Sequence, residues 1–358
     1  MSDAYDGGIT VTESAPMDQP IDASAETTAA FVGRALRGPL DTPVLVRTFA
    51  EFGRRFGGAW PGSNLGGAVE QFFEHGGRQV YVVRVANNAR GAMLCLPAPN
   101  GVLVLRAVEP GSAEHIRVAV DYDGIPDDDE ELFNLTLQRV APGSGLVLDQ
   151  EIYRRLVCEP GRDRSVEDVL VTSSLVRVQG PVPEHRPLAT DAGYIDPVQP
   201  GTDGQPLSDY DLVGSSADGT GIFALNQVEH IDVLYLPPPG PGRVPGPAAV
   251  LAAELYARRR GALLILDPPI EWKSTYEAIK GMRDAGYANP DVLSYFPRVK
   301  VRHSEETGAL PVGGAIAGLL CKLDRLHGPW EDLDQRGLAL NRDYVPAIDI
   351  FSSDAHLL

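Results

Sequence analysis

Cysteine is nearly missing from this chain. Cys95, Cys158 and Cys321 stand far apart among 358 residues and form no C-x-x-C pair, so neither a disulfide framework nor a zinc site is indicated. Positive charge is also short. Lys and Arg number 31 against 49 Asp and Glu, and the resulting net charge of −18 excludes the basic footprint of a nucleic-acid binder. No run approaches the roughly 18 uninterrupted apolar residues of a membrane span. The first thirty positions hold neither a basic n-region nor an apolar h-region, so the sequence predicts synthesis in the cytosol and no membrane insertion.

The patterns that carry chemistry are missing as well. There is no G-x-S-x-G, and the seven histidines, at 75, 115, 185, 230, 303, 327 and 356, form no H-E-x-x-H or H-x-E pattern. The glycines at 313 and 314 are not followed by G-K-[ST], which argues against a phosphate loop. Between Leu236 and Ala248 the chain reads PPPGPGRVPGP, and proline removes the N–H donors that would hold phosphate. Asp267, just before Pro268-Pro269 at the end of an expected strand, stands where α/β sheets bind ligands, but no partner for it is apparent. The segment DYDGIPDDDEE, residues 121–131, holds seven carboxylates in eleven positions. Pro126 occupies the place of an EF-hand glycine and no bidentate Glu follows at the right spacing, so it reads as a solvated hairpin loop. The sequence predicts no catalytic residue, no metal ligand and no cofactor.

What is present suffices for a sizeable core, since 43% of the residues are hydrophobic and the length suggests two or three domains. Residues 28–86 organise the whole. Apolar strands are expected at Ala29 to Val32 and Val44 to Arg47. A helix capped by Thr48, with Glu51 reaching back, places Phe52 and Phe56 on one face. A second helix opens at Ser63 or Asn64, turns Leu65, Val69, Phe72 and Phe73 inward, and stops at Gly76-Gly77. The strand QVYVVRV that follows is apolar on both faces, as in a covered sheet.

The flanks differ in character. Residues 1–27 hold six acidic residues and no Lys or Arg, and read as an extended arm whose Ile9, Thr10, Val11 and Thr12 can add a strand to a neighbouring sheet. From 101 to 180 the pattern turns to alternating strands, with one short helix expected near Asp149 to Leu156. A Pro/Gly-rich linker follows from Pro181 to Gly204. HIDVLYLP, a helix over Ala248 to Arg260 and GALLILDPP then form a strand, helix, strand unit with the spacing of a parallel crossover. A capped helix from Ser274, strands at Val292 to Phe296 and Arg298 to Arg302, and a small-residue helix through Gly313, Gly314, Ala317 and Gly318 complete the series.

Several of these stretches, in this order, resemble contractile tail sheath proteins of phage tails, R-type bacteriocins and extracellular contractile injection systems. The stretches are the FVGRxxRGP turn, the EFxxxFGG helix, the AVxxFFxxGGxxxYVVRV helix and strand, the TGIFAL segment and LPVGGAIAGLLCKLDRLHGPW. The resemblance implies an α/β fold, α+β overall: a mixed sheet flanked by helices, likened in this family to subtilisin. The main domain would comprise residues 28–98 and 185–358, with a β-rich domain inserted at 99–184 and an arm at 1–27. It implies a structural subunit rather than an enzyme, with other sheath subunits in hexameric rings, an inner tube and a baseplate as partners. Such a subunit is made in the bacterial cytoplasm and ends in a virion tail or a released particle. A cap or adaptor derived from the same fold is one alternative; a hydrolase or nucleotide binder on a Rossmann-like sheet is another. The ending EDLDQRGLALNRDYVPAIDIFSSDAHLL resembles the point at which the family continues into a C-terminal domain, so this chain alone is expected not to build a sheath.

Overall fold

A computed structural model describes residues 27–190, 193–240, 242–287, 289–302, 309–328, 339–341, 343–347 and 356–357. The arm strand Ile9, Thr10, Val11 and Thr12 lies outside the described residues.

The first sixty described residues build as their local chemistry dictates. Strand β1 (Ala29–Gly33) is buried along its whole length, and β2 (Val44–Val46) follows the turn at Gly38-Pro39. Helix α1 (Phe49–Phe56) begins at Thr48, whose hydroxyl accepts from the Glu51 N–H at 3.1 Å. Glu51 reaches back one residue further than a capping box requires, to the Arg47 N–H at 2.9 Å. Phe52 and Phe56 stack with centroids 5.3 Å apart, and Gly57 ends the helix at φ 92°, a conformation that costs glycine little. Helix α2 (Leu65–Glu74) buries Leu65, Val69 and Phe72 and leads into β3 (Val80–Arg84).

Strands β4 (Met93–Ala98), β5 (Gly101–Ala107), β6 (His115–Asp121), β7 (Phe133–Val140) and β8 (Val147–Leu156) come next, then the short α3 (Val166–Leu170) and β9 (Val176–Val178). They pair as two three-stranded antiparallel sheets, β4-β5-β9 and β6-β7-β8, around one core of Leu94, Leu103, Val118, Phe133, Leu135 and neighbours. The helix expected near Asp149 to Leu156 is instead β8, hydrogen-bonded to β7 from Val140↔Val147 to Phe133↔Leu156. Leu148, Ile152 and Leu156 recur every fourth residue, as on a helix face. A bulge at Arg155 (φ 55°) turns Leu156 inward while Ile152 stays exposed, so strand pairing overrode the helical spacing. The acidic segment 121–131 connects β6 to β7 with Asp127, Asp128, Glu130 and Glu131 exposed.

The proline-rich segment after β9 is pinned down rather than free. Ile195 donates to the Val118 carbonyl, Val198 to Met93, Thr202 to Arg90 and Gln205 to Asn87, at 2.7–2.9 Å. The way into the β-rich part and the way out therefore run side by side.

Helix α4 (Asp209–Val213) and a 3-10 turn (Gly221–Gln227) precede β10 (Val233–Tyr235), α5 (Pro247–Arg260), β11 (Leu263–Leu266), α6 (Thr275–Asp284) and β12 (Val292–Phe296). The series ends with β13 (Val299–Val301), α7 (Gly313–His327), β14 (Tyr344–Pro346) and β15 (His356–Leu357). The main sheet has the order β15-β12-β11-β10-β1-β3-β2. Its five central strands are parallel, and both outer pairings, β2 on β3 and β15 on β12, are antiparallel. β13 and β14 form a ladder of their own. Alternate residues of β1 feed two cores: Ala29 and Phe31 pack with α1, α2 and α7, and Ala30 and Val32 with α5 and the 3-10 turn. The fold class is thus the expected mixed α/β, with helices on both faces of the sheet.

Candidate functional site

In an open α/β sheet, ligands bind at the carboxyl ends of the strands, where the connections switch direction. Here the switch lies between β1 and β10, because β3 is added on one side of β1 and β11 on the far side of β10. The two loops at that point are tied together by the start of α2. The Ser63 hydroxyl donates to the Arg34 carbonyl at 2.5 Å, and the Asn64 amide donates to the carbonyls of Pro238 at 2.9 Å and Gly240 at 3.2 Å. Arg34 lies over the Trp60 ring and donates to the Asp203 carbonyl.

Phosphate would next be sought at helix N-termini. At α5 the place is taken by Asp209, which accepts from the N–H groups of Gly246, Ala248 and Ala249 at 2.8–3.3 Å. At α7 it is taken by Asp267, and here the structure corrects the sequence reading that no partner is present. One carboxylate oxygen of Asp267 accepts from Val312 N at 2.8 Å and Gly313 N at 3.1 Å, and the other accepts from the Tyr235 hydroxyl. Arg298 stands close by and donates through Nε to the Pro268 carbonyl. Burial pushes the Asp267 carboxyl up, against the downward pull of Tyr235, Arg298 and the two helix N–H groups; the same burial, with the adjacent carboxylate, raises the Tyr235 phenol. The carboxylate joins β10, β11 and the start of α7 as a structural clasp.

The histidines are dispersed. His75 is buried between the Gln71 carbonyl and the Asn341 N–H, and His230 lies 2.7 Å from Asp232 on the surface. Among the described residues no group of three or more His, Cys, Asp or Glu is arranged to hold a metal, and no helix is long and apolar enough to cross a membrane.

Some strand edges and apolar faces lie open on the outside of the fold. β8 is a ten-residue edge strand with Leu148 and Ile152 exposed, and β2 is the outermost strand at one end of the main sheet. Helix α5 turns Ala249, Val250, Ala253 and Ala257 to the sheet, while Leu251 and Leu255 on its outer side are 55% and 44% exposed and Tyr210 on the adjoining α4 is 84% exposed.

No protein-family model and no curated protein sequence matches the chain. Solved structures do. A sheath tail protein from Listeria innocua matches with a TM-score of 0.50 at 15% identity, over 82% of this chain and 56% of that one. A sheath tail protein from Desulfitobacterium hafniense matches with a TM-score of 0.48 at 13% identity, over 88% and 62%. The helical sheath of the anti-feeding prophage, in its contracted state, matches with a TM-score of 0.39 at 15% identity, over 92% and 55%. The chain spans roughly three fifths of the length of these proteins.

Proposed function

We infer from the likeness to the Listeria innocua protein that this chain has the tail sheath fold. From that fold we propose that it is a structural subunit of a contractile sheath, assembling with further copies of itself around an inner tube above a baseplate. The shared fold carries this reading. The exposed edges of β2 and β8 and the outward apolar face of α5 support it, because a subunit surrounded by others keeps such surfaces for its neighbours. In this reading residues 99–184 are an inserted domain on a main domain of 28–98 and 185–358. Ile9, Thr10, Val11 and Thr12 add a strand to another subunit. The work of contraction is stored in inter-subunit contacts, without nucleotide or cofactor, and the occupied N-termini of α5 and α7 agree with that. The subunit ends in a virion tail or a released injection particle.

A non-contractile cap or adaptor on the same fold predicts a different location. Immunogold labelling of contractile particles from the producing cells, with antibody to this chain, separates the two. Label along the whole shaft is the expected result; label confined to one end gives the cap or adaptor; particles that never label overturn both.

A further inference from the structure

Just past the end of β1 lies a polar cleft of about 780 Å³, lined by Arg34 and by two antiparallel segments of chain, one entering the β-rich part at Asn88 and Arg90 and one leaving it at Gln199 to Gln205. Arg34 is fixed there. Its Nη2 donates to the carbonyls of Asp203 at 2.8 Å and Gly204 at 3.4 Å, and its guanidinium lies 4.8 Å from the centre of the Trp60 ring. Arg90 is exposed, and its guanidinium carries no hydrogen bond or ion pair with any described residue. The carboxylate of Asp203 in the same wall is taken up by Ser112, one oxygen accepting from its N–H at 2.8 Å and the other from its hydroxyl at 2.6 Å. The cleft therefore offers an incoming carboxylate two guanidinium groups, with the side-chain amides of Gln199 and Gln205 beside them. No helix contributes to its lining, so it lacks the row of N–H donors on which a phosphate site draws.

The complementary charge stands at the far end of β6. Ser112, bonded to the cleft wall, precedes that strand, and the acidic connection to β7 leaves its other end, roughly 20 Å away at the rise of a strand. Asp127, Asp128 and Glu130 are exposed on this connection and form no ion pair with any described residue, while Glu131 is held by Arg162. Arg186 fixes the shape of the loop. It donates to the carbonyls of Asp129 at 3.0 Å and Leu132 at 2.9 Å, with its guanidinium 3.8 Å from the centre of the Tyr122 ring. The loop lines no part of the cleft on its own chain.

We propose that the cleft at Arg34 and Arg90 receives the acidic connection of another copy of this chain. The proposal rests on the reading that copies of the chain assemble. Exposed ion pairs are individually weak, but a fixed loop entering a fixed wall sets the register of the two copies, which is what complementary charge contributes to a contact. Cleft and loop are different surfaces at opposite ends of β6, so the contact is head-to-tail. Each joined pair keeps one free cleft and one free loop, and contacts of that kind propagate into rings or helical filaments. With a net charge of −18 the copies otherwise repel one another, so an arginine cleft also selects where they touch.

Two full-length variants break the two sides separately. Arg90→Glu reverses the open side of the cleft, and Asp127→Lys, Asp128→Lys and Glu130→Lys together reverse the loop; all four side chains are exposed, so both variants are expected to fold. In sedimentation velocity the wild type is expected to associate as its concentration rises, and each variant alone to associate about tenfold more weakly or worse. An equimolar mixture of the two variants is expected to regain association, because the intact loop of one then meets the intact cleft of the other. A wild type that shows no concentration-dependent association, variants that associate as the wild type does, or a mixture no stronger than its parts overturns the proposal. If particles carry label along the shaft while the mixture regains nothing, the cleft contact falls and the sheath reading stands. If the mixture regains association while particles never label, the contact stands without the sheath.

Discussion

Replacing Gly314 by Ala is the sharpest test of how the two helices on one face of the main sheet meet. Taken as an isolated helix, α7 should gain from the change, since Ala is favoured over Gly in a helix by up to about 1 kcal/mol, less in the first turn where Gly314 lies. The structure reverses the sign. A Cβ on Gly314 would stand 2.7 Å from the Ala68 Cα on α2 and press on the Ala68 carbonyl, against an ordinary carbon–carbon separation of about 3.5–4.0 Å. The obstacle is backbone, which cannot rotate away, so α7 must move off α2 by about 1 Å and loosen the packing of Phe72, Ile316 and Leu320 beneath. Overpacking of this kind costs about 1–3 kcal/mol, and strain on backbone belongs at the upper end of that range. We therefore expect a net loss of about 1–2 kcal/mol, read as a melting temperature lower by roughly 2–8 °C at the sensitivity of a domain of this size. Gly67 on α2 is the control, because a Cβ there meets nothing within 4 Å. Gly67→Ala, likewise in the first turn of its helix, should raise the melting temperature by up to about 2 °C through propensity alone. Thermal unfolding by circular dichroism of both variants beside the wild type makes the comparison. If Gly314→Ala is as stabilising as Gly67→Ala, the close approach of α2 and α7 is wrong.

The clasp at Asp267 should behave as a buried, fully engaged carboxylate. Asp267→Ala strands the Tyr235 hydroxyl and two helix N–H groups, at a cost of about 3 kcal/mol or more by urea denaturation; a loss below about 1 kcal/mol would refute the geometry. Because burial raises its folded-state pKa, the native state binds this proton more tightly than the unfolded chain does. The group's contribution is thus fully present below the unfolded value and is lost as pH rises through the folded one, a slope that Asp267→Asn should flatten. Arg84, 1% exposed, donates to the carbonyls of Ala35, Gly38 and Pro110, and Arg84→Met, which leaves them without a donor, should destabilise by about 3 kcal/mol or more, with Arg84→Lys recovering part of the loss in the same denaturation series. Burial pushes the Cys158 thiol up to about 11 and Cys321 up to about 12, so a thiol reagent at about pH 8 should label the native protein at half-buried Cys95 alone, and mass mapping that finds rapid modification of the other two would refute their burial. ATP or NAD should leave the melting temperature unchanged, since Asp209 and Asp267 occupy the helix N-termini; a ligand at 100 times its Kd would add about 2.7 kcal/mol and be seen at once.

Features that depend on neighbours a few residues away were legible in the order of the residues. Thr48 with Glu51 and Ser274 with Glu277 mark helix starts because cap and acceptor are three positions apart, and both hydroxyls accept the expected N–H. Phe52 with Phe56, and the double-sided burial of β3, follow from periodicity in the same way. One stretch went against its local reading: the short helix expected near Asp149 to Leu156 is a strand, because the partner strand β7, with its bulge, decides its conformation. Tertiary structure alone decided the rest, because the partners are remote in the chain. Asp267 meets Tyr235, 32 positions earlier, and Val312, 45 positions later. His75 meets Asn341 across 266 positions, and Gly314 finds Ala68 only when two helices are laid on one face of the sheet. Which strand edges and helix faces stay open is decided at the same level. An edge is free only by the absence of a neighbour, and spacing along the chain carries no record of which strands lie side by side.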